Sequence, residues 1–291
     1  MSEFDPPVTA RRSVIAAALA EDLGMLGDLT SLACIPDAQM GSGTIVARAA
    51  GVLAGTVIAA EVFASLDPSV VVSMKLRDGQ QVSRGDVIGT LDGSLRSILM
   101  GERTCLNLLS HCSGVATLTR MYVDAAAVEG SVARIRETRK TIPGLRALQK
   151  AAVRAGGGVN HRESLSDAVL VKDNHLVALG SVTRAVEQSR ERWPGRTIEV
   201  ECDSIDQVAE AKAAGADLVL LDNMAPAMVR DAVALLGGAP LAEVSGGVNL
   251  ETVAEYAATG VAFISIGALT HSAPALDIAL DLDANLDAKG A

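Results

Sequence analysis

From about residue 130 onward, short runs of aliphatic and β-branched residues alternate with longer stretches whose apolar positions recur every three or four residues. The runs Val132 to Glu137, Ala168 to Lys172, Thr197 to Glu201, Leu218 to Asp222, Leu241 to Val244 and Ala262 to Ile266 predict the strands of a buried parallel sheet. Between the first two, Leu145, Leu148, Ala152 and Ala155 recur at helical spacing. Arg146, Gln149, Lys150 and Arg154 fall on other faces, and Gly156-Gly157-Gly158 stops the helix. Pro226, and Asn249 ahead of Glu251 and Thr252, mark later helix starts.

The first part of the chain has another rhythm. Gly43 to Ala50, Val52 to Gly55 and Val70 to Leu76 are short β-rich pieces, with turn signals at Asp67-Pro68, Asp78-Gly79, Arg84-Gly85-Asp86 and Asp92-Gly93. A helix is expected over Thr104 to Tyr122, and an amphipathic one ends near Gly24. That first helix follows Arg11-Arg12 and superficially imitates a secretory signal. Glu3, Asp5, Glu21 and Asp22 and the shortness of the apolar run argue against one. Residues 78–89 echo the half-motif of biotinyl and lipoyl carriers, but Lys75 stands only four residues before Gly79, too close for a carrier lysine on a hairpin tip.

In the second part, Lys172, Glu201, Asp222, Ser245 and Gly267 each stand at or just past a strand's C-terminal end, 29, 21, 23 and 22 residues apart. That interval is one βα unit, and βα barrels carry their chemistry at these ends. An open doubly wound sheet is the alternative; no G-x-G-x-x-G opens it.

Composition narrows the classes. With 291 residues, 49% hydrophobic, the chain suits one large α/β domain or a barrel with a smaller domain. A net charge of −10 and six scattered aromatic residues argue against nucleic-acid binding. Cys34, Cys105, Cys112 and Cys202 form no metal or disulfide pattern, which suits free thiols in a reducing cytoplasm, and no run reaches transmembrane length. Against this acidic background, residues 134–175 hold nine of the 25 Lys and Arg and only four acids. Arg139, Lys140, Arg162 and Lys172 combine guanidinium forks with point-charge ammonium groups, as a pocket for a small polyanion would.

Around them, the loops Ser245-Gly246-Gly247 and Gly267-Ala268 lack bulky side chains, so their amides can approach an anion, as phosphate loops late in a barrel do. Glu201 and Asp222 end neighbouring strands and can bind ribose hydroxyls, hold Mg²⁺ or stabilise positive charge at a sugar carbon. Glu199 and Asp203 alternate around Glu201, one of them as a packing or capping residue. His161, after a glycine-rich loop, is read as a substrate contact, Asp173 as orienting Lys172 or His175, and His111 as a partly buried structural residue.

These residues resemble the quinolinate phosphoribosyltransferase family, the carboxylating nicotinate-nucleotide pyrophosphorylases. The resemblance runs through Glu21-Asp22-Leu23-Gly24, Gly27-Asp28-Leu29-Thr30-Ser31, Glu102-Arg103-Thr104 with Asn107-Leu108-Leu109-Ser110, Glu137-Thr138-Arg139-Lys140-Thr141, and Gly157-Gly158-Val159-Asn160-His161-Arg162. It continues in Lys172-Asp173-Asn174-His175, Glu199-Val200-Glu201, Leu221-Asp222-Asn223 and Ser245-Gly246-Gly247. It implies an α/β fold with an N-terminal α/β sandwich domain (1–115), an incomplete, about seven-stranded α/β barrel (116–275), and a C-terminal segment (276–291) packing with the N-terminal domain. It also implies a homodimer, possible higher assembly, a cytoplasmic setting and no membrane. The substrates would be quinolinate and phosphoribosyl pyrophosphate. Arg139, His161, Arg162 and Lys172 would hold quinolinate, with Thr138 beside them and Arg103 arriving from the partner chain. Lys140 would face pyrophosphate, Glu201 and Asp222 the ribose and Mg²⁺, and the Ser245-Gly246-Gly247 and Gly267-Ala268 loops the 5-phosphate. Lys140, Glu201 and Asp222 are then the expected catalytic groups. Nicotinate phosphoribosyltransfer, or a lysine-dependent aldolase or decarboxylase acting through Lys172, are rival chemistries.

Overall fold

A computed structural model describes residues 3–283, so part of the C-terminal segment 276–291 lies outside the described residues. The first elements are α1 (Val8–Leu23), α2 (Leu29–Cys34), β1 (Met40–Ala47), β2 (Gly51–Val52), α3 (Thr56–Leu66), β3 (Val71–Met74), β4 (Gln81–Val82), β5 (Val87–Ser94) and α4 (Leu95–Ala125). Then come β6 (Arg134–Arg136), α5 (Arg146–Ala155), β7 (Val169–Val171), α6 (Asp173–Leu179), α7 (Val182–Arg192), β8 (Ile198–Cys202), α8 (Ile205–Ala213) and β9 (Leu218–Asp222). The last are α9 (Pro226–Leu236), β10 (Leu241–Ser245), α10 (Val253–Ala257), β11 (Phe263–Ser265), α11 (Ala268–His271) and β12 (Ile278–Leu282). Among the described residues they pack as two compact units, one drawn from 3–118, Ile142–Gly157 and 272–283, the other from Thr119–Thr141 and Gly158–His271.

The first unit is an antiparallel sheet of order β12-β1-β5-β3 with helices packed on it. Arg11, on α1, is buried and locked to Glu61 of α3 by two contacts of 2.7 Å, so this basic residue serves helix packing. Asp78, in the expected Asp78-Gly79 turn, accepts from the amides of Gly55 and Thr56 at 2.9 Å each and so caps α3, a helix the β-rich reading did not anticipate. Asp92-Gly93 is not a turn. Both residues lie inside β5, Asp92 paired with Ser42 and Val71, and a Cβ on Gly93 would come within 3.0 Å of Val70. The glycine there serves close packing. Likewise Gln149 and Lys150, read as belonging to other faces of α5, are fully buried.

In the second unit the six expected strands form one parallel sheet of order β6-β11-β10-β9-β8-β7, each boundary within two residues of its sequence reading. Val159 adds a single parallel bridge to Arg136, all of a seventh strand that the described residues show. Among the described residues β7 pairs only with β8, so the barrel is left open between Val159 and β7.

Period-2 alternation within these strands builds two unlike faces. Ile135, Val200, Cys202, Val219, Leu221, Val244 and Ile264 are buried apolar residues. The residues between them are Arg136, Glu199, Glu201, Leu220, Asp222, Glu243, Ser245 and Ser265, and these converge on the other side of the sheet. Register aligns Glu201, Leu220, Glu243 and Phe263 in one row, and Asp222, Ser245, Ser265 and Arg136 in the row above.

Candidate active site

A cavity of about 290 Å³ opens where these polar residues reach the strand ends. Of the residues expected at the site, Thr138, Arg139, Lys140, His161, Arg162 and Lys172 line it on the basic side, and Glu201, Asp222 and Ser245 on the acidic side. Gly246 follows Ser245, and Gly247, Gly267 and Ala268 stand two or three residues past a lining residue, but none of the four lines the cavity. Arg103 lies on α4 in the first unit, exposed and 3.7 Å from Glu102.

Arg139 and Arg162 each keep a buried Nε without a hydrogen-bond partner. Arg162 donates from Nη1 to Ala168 O at 2.8 Å. Burial, and next the charge of Arg139, push its pKa below the usual guanidinium range, although Glu199 and Asp167 pull the other way. Lys172, at the start of α6, is paired through Nζ with Glu201. Glu201 therefore orients Lys172. Asp173 binds only the next amide, and His175 accepts from the Lys172 backbone at 2.8 Å, a helix-capping role.

Asp222 accepts from Asn223 Nδ2 at 2.7 Å, and Asn223 itself adopts φ +55°. This turn leans on the next loop. Gly246 has φ +92°, and a Cβ there would lie 2.2 Å from Asn223 Oδ1, so both conformation and space demand glycine. On the opposite rim, Lys140 donates its amide to Thr138 at 3.0 Å and accepts from Thr270 at 2.9 Å. Its aliphatic chain passes 3.1 Å from where a Gly267 Cβ would be.

The floor of the cavity, lined by Glu243 and Ser265 as well as His161, is a buried polar layer of which the sequence reading had named only His161 and, with a question mark, Glu199. Glu243 is fully buried, paired with Arg136 and hydrogen-bonded by Ser265. Burial first, and then the neighbouring Glu199, raise its pKa from 4.5 to about 7, against the pull of Arg136. Glu199 is raised by the same burial, and its Oε1 has no partner. His161 Nε2 lies 3.3 Å from Glu199 and 3.5 Å from Glu243, so the ring meets two acids on the same side. Arg136 also stacks 4.3 Å above the Phe263 ring. Glu137, equally buried, accepts from Asn160 Nδ2 and from His161 N, each at 3.0 Å. The signal for this layer was the polar residue two positions before each strand-end residue: Glu199 before Glu201, Glu243 before Ser245.

Comparison with known proteins agrees over nearly the whole chain. Two family models match it, the quinolinate phosphoribosyl transferase N-terminal domain over residues 28–113 and the C-terminal domain over residues 115–281. It is 45% identical over 287 residues to the nicotinate-nucleotide pyrophosphorylase (carboxylating) of Mycobacterium leprae, covering 96% of this chain and 98% of that one. A probable enzyme of the same name from Bacillus subtilis is 43% identical, with 90% of each chain covered. Among solved structures, NadC from Streptococcus pyogenes superposes with a TM-score of 0.92 at 37% identity, covering 96% of this chain and 98% of that one.

Proposed function

We infer the use of this cavity from one premise: the chain belongs to the quinolinate phosphoribosyltransferase family. It transfers the phosphoribosyl group of phosphoribosyl pyrophosphate to quinolinate with decarboxylation, giving nicotinate mononucleotide, pyrophosphate and CO2 for de novo NAD synthesis.

The assignment of residues is our proposal. Arg139, Arg162 and Lys172 take the two carboxylates of quinolinate, with Thr138 beside them and His161 behind Arg162. The observation that carries this is Arg162: a half-buried, half-satisfied guanidinium beside a second one is completed by an anion. A carboxylate arriving at Lys172 also competes with Glu201 for its ammonium group, releasing Glu201 toward the sugar.

The pyridine nitrogen attacks the anomeric carbon as the bond to pyrophosphate breaks, so positive charge grows on the sugar and negative charge on the leaving group. Glu201 and Asp222 face the first and Lys140 the second. Two carboxylates on adjacent strand ends form an oxygen donor set that suits Mg²⁺, which takes one or two carboxylates plus substrate phosphates. When bound, Mg²⁺ supplies neutralisation of the departing pyrophosphate. The loops Ser245-Gly246-Gly247 and Gly267-Ala268 receive the 5-phosphate. Once the nitrogen is quaternary, the adjacent carboxylate leaves as CO2. Its bonding pair stays on the ring carbon beside the cationic nitrogen until a proton replaces it.

We further propose a homodimer in which Arg103 serves the partner's cavity, and a cytoplasmic setting; no helix among the described residues is long and apolar enough to cross a membrane. Incubation with phosphoribosyl pyrophosphate, Mg²⁺ and either quinolinate or nicotinate tests the reading. Nicotinate mononucleotide and CO2 should form from quinolinate, whereas turnover of nicotinate alone would overturn the dicarboxylate assignment.

A further inference from the structure

We propose that His161 is a positioning residue for Arg162 and makes no cationic contact with a substrate carboxylate; this rests on the cavity being the quinolinate site. The argument begins with one short hydrogen bond. The backbone N–H of Arg162 donates to His161 Nδ1 at 2.7 Å. A ring nitrogen that accepts carries no proton, so the ring's proton stands on Nε2. Nε2 in turn faces Glu199 Oε2 at 3.3 Å and Glu243 Oε1 at 3.5 Å. Both ring nitrogens are therefore committed inside the protein, one upward to the Arg162 backbone and the other downward to the acid layer.

The charged groups around the ring come from three strands. Glu199 stands on β8, Glu243 on β10 with Arg136 of β6 paired to it, and Glu137 follows β6 and holds the His161 amide. A cationic ring would need Nδ1 to carry a proton, which would point at the Arg162 N–H and break the 2.7 Å bond. That amide would then be left unsatisfied in a half-buried loop.

Arg162 is restrained at both ends by this arrangement. Its backbone is fixed by His161, and the tip of its side chain by Ala168 O. Such a guanidinium is presented to a carboxylate with little conformational freedom left to lose on binding. Glu199 and Glu243 then act through His161, and the strand alternation that buries them gains a purpose.

The test uses the full-length protein labelled with 15N in its histidine rings, with His161 assigned by the signal missing from a His161→Asn sample. Expected is a ring that carries its proton on Nε2 alone, with and without quinolinate; a ring protonated on both nitrogens in the quinolinate complex would overturn the proposal. Kinetics give a second readout. Asn can offer its side-chain oxygen to the Arg162 N–H, whereas Phe keeps a ring but no acceptor. His161→Phe should raise the quinolinate KM about tenfold or more and His161→Asn several-fold less, with smaller effects on kcat. Equal losses in both variants would count against the proposal, and if His161→Phe fails to fold the ring spectrum decides. Arg162→Ala separates the two levels. If it leaves the quinolinate KM unchanged, the site reading itself fails; if it raises KM while His161 proves cationic, only the positioning role fails.

Discussion

At the scale of single residues, the cavity is defined by what its side chains lack. Arg162 keeps a buried Nε without a partner, and its fork is fixed on one side only. Arg162→Lys should therefore raise the quinolinate KM by about tenfold or more, because an ammonium group cannot reproduce a planar two-point contact; steady-state kinetics with each substrate varied will show it. Glu243 carries a pH signature. Its pKa is raised from 4.5 to about 7, chiefly by burial, so between these values the folded chain binds more protons than the unfolded one. The associated stability is full below about pH 4.5 and is lost as pH rises through about 7. Denaturant unfolding at pH 5 and pH 8 should show wild type losing more stability over this interval than Glu243→Gln. A variant with the same loss would refute the assignment to Glu243.

At the scale of elements, glycines decide how closely segments approach. Gly114 sits within α4, where alanine normally favours a helix by about 1 kcal/mol. Here a Cβ would lie 2.0 Å from the backbone oxygen of Pro274. Gly114→Ala should thus destabilise the protein by about 2–4 kcal/mol, the reverse of its propensity, as a denaturation midpoint will report. The six parallel strands were legible because each is a short aliphatic run at a regular interval. The strand-end residues were legible because that interval predicts where side chains converge. The layer below them was not, since a run such as Thr197 to Glu201 reads as hydrophobic although Glu199 points inward, and alternation was not separated from overall apolarity. Asp92-Gly93 misled for a related reason: the dipeptide marks turns, but here Val70, just before the neighbouring strand β3, set the requirement. The helix α3 escaped notice because its cap, Asp78, stands far from it in sequence.

At the scale of the whole molecule, Arg103 belongs to the unit that does not carry the cavity. If it serves a partner's cavity, inactive Arg103→Ala and Lys140→Ala proteins should recover activity when mixed, up to about a quarter of wild type if chains pair at random in equal amounts. Subunit exchange confirmed by native mass spectrometry without any recovery would refute service in trans. The unclosed barrel bears on the same cavity. Arg162 follows the lone bridge at Val159 and Lys172 follows β7, so the two cations stand on opposite banks of the missing seam. No ladder of backbone hydrogen bonds ties those banks together, while Glu201, Asp222 and Ser245 ride on strands bonded on both sides. The cavity thus has one jaw, for the sugar, held by the ladder of the sheet, and another, for the ring, held by side chains, Arg162 bonded to Ala168 O and Lys172 to Glu201. The distance between the two cations is set by those two side-chain bonds and by no rung of the sheet.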